Sequence, residues 1–191
     1  RLLKPAYDGD ELNIVLSEET QGQFRVTCHN QDELLLAEIM AGAMPPMPAD
    51  IGLGGPAKAT PKVEINWDNV VPAEVFVEKT WSLSEAENNR YCKEIGDHAP
   101  VYDEHIHPHY LLSLANYCLM EEYQMPAWIH ASSITNHRAA LKVGDMITSK
   151  TVVKEKFERK GHQFITLHIT YWRGEELTTD ILHTAIFRIA E

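Results

Sequence analysis

Four of the ten histidines fall within twelve residues. They lie in the run Gly96-Asp97-His98-Ala99-Pro100-Val101-Tyr102-Asp103-Glu104-His105-Ile106-His107-Pro108-His109, which also carries three carboxylates. Imidazoles and carboxylates are the side chains that move protons near neutral pH. Pro108 suits the first turn of a helix, where its missing N–H has no partner to lose. The polar run therefore ends at a helix amino terminus, whose free N–H groups and partial positive charge suit a carbonyl that gains negative charge. That combination fits proton transfer beside a thioester. The same run also fits a solvated loop in which Asp97 caps a turn and the histidines face water.

His105, His107 and His109, at spacing two, would line one face of a strand and hold zinc. Pro108 starts a helix in the middle of that set and scatters their directions, and a fourth ligand is not evident, so no metal is expected. A second candidate stretch is 126–137, where Trp128, His130 and Ser132 alternate with Ile129 and Ala131. Three such groups on one strand face could border an acyl pocket, or belong to an ordinary half-buried strand. Asn116 interrupts an apolar helical stripe and could reach the site or cap a buried backbone group. Arg159 and Lys160 sit in a basic hairpin tip, 157–162, which suits the phosphates of a ligand or simply water. The stretch 52–55 is glycine-rich but is followed by Pro56 and lacks a strand before it, so it is not a dinucleotide loop. Ser132 and Ser133 do not sit in a nucleophile elbow.

Around these residues the chain reads as three zones. Residues 5–43 are strand-rich, residues 44–70 are rich in Pro, Gly and Ala and read as an extended connector, and residues 71–191 hold helices first and strands after. Residues 75–81 read as a strand. Ser82 with Glu85, or Ser84 with Glu87, forms a helix-starting capping box, and Gly96 ends that helix. Leu111, Leu114, Ala115, Cys118 and Leu119 give the helix after Pro108 an apolar face. Strands are expected at 128–137, 145–157, 163–172 and 177–188, with Ile165, Leu167, Ile169 and Tyr171 on one face and a hairpin turn at Arg173-Gly-Glu-Glu. Helices followed by an antiparallel run of strands make an α+β pattern. The first and third zones also repeat each other: Gly9-Asp10 opens one set of strands and Gly144-Asp145 the other, with Gly22 and Gly161 at the next turns.

The layout resembles the hotdog fold, in which a long central helix is wrapped by a curved antiparallel sheet. In particular it resembles the MaoC-like (R)-specific enoyl-CoA hydratases and dehydratases. That branch carries Gly-Asp-x-Asn-Pro-aliphatic-His before the central helix, and this chain has Gly96-Asp97-His98-Ala99-Pro100-Val101-Tyr102. The resemblance implies a tandem (double) hotdog with an incomplete first repeat. Residues 1–43 would be a partial hotdog repeat (its strand half), 44–70 the connector, and 71–191 the hotdog domain. It implies an acyl-thioester hydro-lyase, with a coenzyme A thioester as substrate and no cofactor. Asp97 inherits the acid/base role. Tyr102 stands where the family has its catalytic histidine and, with an ordinary pKa near 10, donates a hydrogen bond rather than accepting a proton. His107 or His98 would take over the histidine's part. Trp128, His130 and Ser132 would line the acyl tunnel, and Arg159 and Lys160 would meet the phosphates of coenzyme A. The loss of the histidine favours, as an alternative, a non-catalytic acyl-CoA-binding protein; hotdog thioester hydrolysis is a third reading.

Charge and length limit the remaining classes. The 191 residues carry 17 Lys and Arg against 28 Asp and Glu, a net −11, which repels nucleic acid and anionic membranes. No apolar run reaches the roughly 18–20 residues of a membrane-crossing helix. Three scattered cysteines, Cys28, Cys92 and Cys118, form no disulfide framework, so a reduced, cytoplasmic setting is expected. The chain opens on Arg1, and further amino-terminal sequence is expected before it. Edge-to-edge pairing of hotdog sheets implies a homo-oligomer, a dimer in the simplest case.

Overall fold

A computed structural model of the chain describes residues 1–47, 55 and 61–190. Ten strands and two α-helices follow in order: β1 (Asn13–Thr20), β2 (Gln23–His29), β3 (Leu35–Ala41), β4 (Val63–Glu64), β5 (Lys79–Trp81), α1 (Glu85–Ile95), α2 (Pro108–Glu122), β6 (Tyr123–Gln124), β7 (Ile129–His137), β8 (Ile147–Arg159), β9 (His162–Arg173) and β10 (Glu176–Arg188), with a 3-10 turn at Pro100–Asp103. The main sheet has five antiparallel strands in the order β5-β8-β9-β10-β7.

Alternation in β9 dictates what that sheet covers. Ile165, Leu167, Ile169 and Tyr171 are all buried, and with Leu111, Ala115 and Leu119 of α2 they form the core. The Tyr171 hydroxyl donates to the Leu111 carbonyl at 3.0 Å, which fixes the start of α2 against the sheet. Removing these side chains from water supplies the main favourable term, about 1.5–3 kcal/mol for each large aliphatic or aromatic group. The opposite face of β9 is buried as well: Thr166 reaches Thr184, and the Trp172 indole N–H donates to Thr170.

The strand expected at 75–81 is regular only from Lys79. Before it, Ala73 has a positive φ of 68°, and the Val77 amide donates to the Glu122 carboxylate at 2.9 Å instead of to a neighbouring strand. Gly55 makes a single bridge to Val77, and a Cβ there would lie 3.2 Å from the carbonyl oxygens of Val75 and Phe76, so glycine is what lets the two backbones meet. Of the glycine-rich stretch 52–55, residues 52–54 lie outside the described residues. In the last part of the 44–70 run Ile65 and Val70 enter the core.

Strands β1, β2 and β3 form a separate antiparallel meander in the same order as β8, β9 and β10. The turns that precede the two meanders match in detail. The Tyr7 amide donates to Asp10 Oδ2 at 2.8 Å and the Asp10 amide to the Tyr7 carbonyl at 3.1 Å; Lys142 and Asp145 repeat both bonds at the same lengths. Gly9 and Gly144, with φ of 91° and 84°, make that reversal possible.

Candidate functional site

The polar run is built between two helix ends. Ser84 caps α1: its hydroxyl accepts from the Glu87 amide, and the Glu87 carboxylate accepts from the Ser84 amide at 2.9 Å. This selects Ser84 with Glu87 over Ser82 with Glu85. At the other end Gly96, with φ of 72°, turns the chain left-handed and delivers Asp97 to the start of α2.

Asn88, fully buried on α1, then ties the run down. Its amide nitrogen donates to the carbonyls of Tyr102 (2.7 Å) and His105 (3.0 Å), and its oxygen accepts from the His107 amide (3.1 Å).

His107 is the residue just before α2, and its side chain caps the helix. Nδ1 accepts the His109 amide hydrogen at 3.1 Å, and the His107 carbonyl accepts the Tyr110 amide at 2.9 Å. A backbone N–H only donates, so Nδ1 carries the lone pair and Nε2 the hydrogen. That hydrogen points to Asp97 Oδ2, 3.2 Å away. Asp97 Oδ1 accepts the Ala99 amide at 3.1 Å. The Ala99 amide first, and then His107, hold the Asp97 carboxyl below its usual pKa, so it is ionised at neutral pH. Its side chain remains 39% exposed and so can meet a water or a ligand.

Tyr102 stands with its ring 4.3 Å from the His107 ring, and burial, followed by the Asp97 charge, pushes its phenol up. It stays protonated, so its hydroxyl keeps a hydrogen to donate. Tyr102 also lines a cleft of about 480 Å³, walled by Val101, Ile106, Pro108 and Leu111 on one side and by His137, Leu141 and Thr179 on the other. Asp97, Tyr102 and His107, expected from the sequence as a group, are thus brought together.

The other histidines diverge. His98 is exposed, His105 Nδ1 meets the Val101 carbonyl, and His109 Nδ1 meets the Tyr91 hydroxyl at 2.5 Å. Among the described residues no group of three or more His, Cys, Asp and Glu is arranged to hold a metal ion.

The second candidate stretch differs from simple alternation. The pairing of β7 with β10 shifts between Thr184 and Ala185, so Ala131 is an extra residue: Ser132 pairs with Thr184, and His130 with Ala185. His130 and Ser133, rather than Ser132, therefore share the face toward α2, together with His183 of β10. The Trp128 indole N–H donates to Asn116 Oδ1 at 3.1 Å, and its ring stacks on His183. Asn116 thus serves Trp128. Arg159 and Lys160 lie at the far tip of the β8–β9 hairpin. Ser149, which pairs with Tyr171 near the start of α2, is about 30 Å of strand away.

The sequence reading missed Asn88 and His183. Asn88 and Cys92, four residues apart and both buried, share one side of α1, which is the signal that marks Asn88 as inward-facing. His183 stands among inward-facing apolar residues of β10, at the spacing of two that includes Ile181 and Ala185.

No protein-family model matches the chain, and no curated protein does. Solved structures do resemble it. A 3R-hydroxyacyl-ACP dehydratase complex, HadBC, from Mycobacterium tuberculosis superposes with a TM-score of 0.55 at 9% identity, over 63% of this chain and 99% of that one. An (R)-hydratase from A. caviae involved in PHA biosynthesis gives 0.52 at 16%, over 62% and 98%. A monoamine oxidase regulatory protein from Archaeoglobus gives 0.54 at 16%, over 68% and 98%. This chain has the hotdog fold. In hotdog terms α2 is the central rod, β5 and β7–β10 are the wrapping sheet, and Asp97, Tyr102 and His107 cluster at the amino end of the rod. No helix among the described residues is long and apolar enough to cross a membrane.

Proposed function

We propose that the protein is a MaoC-like hydro-lyase that adds water to, or removes it from, an acyl thioester. The observation that carries this reading is the Asp97–His107 pair, joined at 3.2 Å, with the His107 ring 4.3 Å from that of Tyr102, which in turn lines a cleft with apolar walls. In the hydration direction the ionised Asp97 takes a proton from water as the water oxygen bonds to C3 of the enoyl thioester. The carboxylic acid so formed gives a proton to C2, so one water is added and Asp97 is regenerated. The Tyr102 hydroxyl donates to the thioester oxygen as charge builds there. His107 orients Asp97 through Nε2–H and, with Nδ1 committed to the helix cap, is not itself the base. No cofactor is needed, and the coenzyme A thioester is the substrate.

One observation favours a second reading, a non-catalytic acyl-thioester binder. The free N–H groups expected at the start of α2 are not all free: the His109 and Tyr110 amides are both already bonded to His107. Hydration of crotonyl-CoA, followed by loss of the enoyl absorbance, separates the two. Turnover abolished by Asp97→Asn supports the hydro-lyase; saturable binding without turnover supports the binder.

We further propose that residues 1–43 are the strand half of a reduced first hotdog repeat. The matched turns at Gly9-Asp10 and Gly144-Asp145 support this, as does the apolar face that Ile14, Leu16, Phe24 and Ile39 leave exposed on the meander. A cytoplasmic homodimer joined along sheet edges fits the composition and the fold.

A further inference from the structure

The meander β1–β3 turns an apolar face to water. Register places Ile14 and Leu16 of β1, Val26 and Cys28 of β2, and Ala37 and Ile39 of β3 on the same side. Ile14, Leu16 and Ile39 are 68%, 67% and 61% exposed. Folded proteins rarely leave so continuous an apolar face bare unless another element docks on it.

The main sheet shows what such a face carries. Both meanders begin their middle strand after a two-residue hairpin that closes on a glycine with φ of 76°, Gly22 in one and Gly161 in the other. Counted from those turns, Val26 takes the position of Ile165 and Cys28 that of Leu167. Their cross-strand partners follow, so Ile14 takes the position of Val153 and Ile39 that of Ala185. Val153, Ile165, Leu167 and Ala185 are 0–1% exposed, and the first three pack with Leu111, Ala115 and Leu119 of α2. The face of β1–β3 thus has the seat of a helix, and no helix of the described residues is spare to fill it. α2 belongs to the main sheet, and Asn88 holds α1 to the 102–107 segment.

The surroundings of that seat are acidic. Residues 1–43 carry eight Asp and Glu against three Lys and Arg, and Arg1 and Arg25 both pair with Glu38. Arg25 and Glu38 point to the opposite side of the meander from Val26 and Ile39. At the ends of the apolar face stand exposed carboxylates, Glu18 and Glu19 at one and Glu11, Asp32 and Glu33 at the other.

We propose that this face is the docking site of a partner's amphipathic α-helix, apolar on one side and rich in Lys and Arg on the other. The helical form follows from what the equivalent positions carry in the main sheet, and the basic side follows from the acidic ends. A second copy of this chain fits worse, because meander on meander would bring two acidic rims together. The proposal extends the repeat reading of residues 1–43 and is independent of the chemistry at Asp97.

The test uses three fluorescein-labelled peptides of 15 residues, the length of α2. One sets leucine and lysine at helical spacing, one replaces its lysines with glutamate, and one keeps the first composition but alternates leucine with lysine at strand spacing. By anisotropy at about 0.15 M salt, the first should bind at least about tenfold tighter than either of the others. The double variant Leu16→Asn, Ile39→Asn, which leaves the charge unchanged, should weaken that binding at least about tenfold. Val15→Asn, on the other side of β1, should leave it as it was. In the wild-type protein the methyl resonances of Ile14, Leu16 and Ile39 should move with the first peptide while those of Ile134, exposed on β7, stay in place, a readout that needs no variant. No binding, equal binding of the three peptides, or binding that survives the double variant overturns the proposal. So does a dimer of the unliganded chain that the double variant dissociates, which would assign the face to a second copy. None of these outcomes bears on turnover at Asp97, so the hydro-lyase reading stands or falls separately.

Discussion

Replacing Asn88 with alanine should cost about 3 kcal/mol of stability. Asn88 is fully buried and makes three hydrogen bonds, two as donor to the Tyr102 and His105 carbonyls and one as acceptor from the His107 amide. Each is worth about 1 kcal/mol net, and the three groups left behind on the 102–107 segment lose their partner together. Asn88→Asp keeps the acceptor but turns a carboxylate toward two carbonyl oxygens. The charged form is disfavoured in the folded state, so its folded pKa is raised above the unfolded value. The variant should therefore be at least as unstable as Asn88→Ala at pH 7 and should lose stability as pH rises through the ordinary carboxylate range. The assay is urea unfolding followed by circular dichroism, with the exposed neighbour Asn89→Ala as control, expected within about 0.5 kcal/mol of the parent. A loss below about 1 kcal/mol for Asn88→Ala would refute the idea that this side chain holds the segment bearing Tyr102 and His107.

Other consequences follow from the same contacts. His183 is neutral when folded, with a pKa of about 3, and titrates near 6.5 when unfolded, so the unfolded chain binds more protons between those values. Its share of stability is complete above about pH 6.5 and falls by about 2 kcal/mol on going to pH 5; urea titrations at pH 7 and pH 5 should show that slice missing from His183→Phe. Ser84→Ala should cost about 1 kcal/mol by removing the cap of α1, measured by the same unfolding assay. Tyr102→Phe should lower kcat for enoyl hydration by about 10–100-fold with the fold unchanged, because it removes a donor and keeps the ring; an unchanged kcat would remove Tyr102 from the oxyanion role.

Periodicity made much of the fold legible. The spacing of two in Ile165, Leu167, Ile169 and Tyr171 placed a buried face, and Ser84, Gly96 and Pro108 marked helix ends because capping chemistry is local. Grouping Asp97 with Tyr102 and His107 was legible for a similar reason, since ten residues and one helix start constrain them. What failed was non-local. The extra residue at Ala131 exchanges Ser132 for Ser133 on the inner face of β7, and only pairing with β10 reveals it. The strand expected at 75–81 is interrupted where Glu122, 45 residues away, takes the Val77 amide. The hydrogen bond between Ser133 Oγ and His183 Nδ1 joins β7 to β10 across 50 residues and has no sequence signature at all.

The central claim is that the ionised Asp97, held by His107 and Ala99, moves the proton in water addition. The most direct measurement is the rate of hydration of crotonyl-CoA by the wild-type protein and by Asp97→Asn, across pH 3–8. The account predicts wild-type turnover that falls only as pH drops through the lowered carboxyl pKa, and a loss of at least about 100-fold in Asp97→Asn wherever that carboxyl is ionised. Hydration that continues undiminished in Asp97→Asn would contradict it.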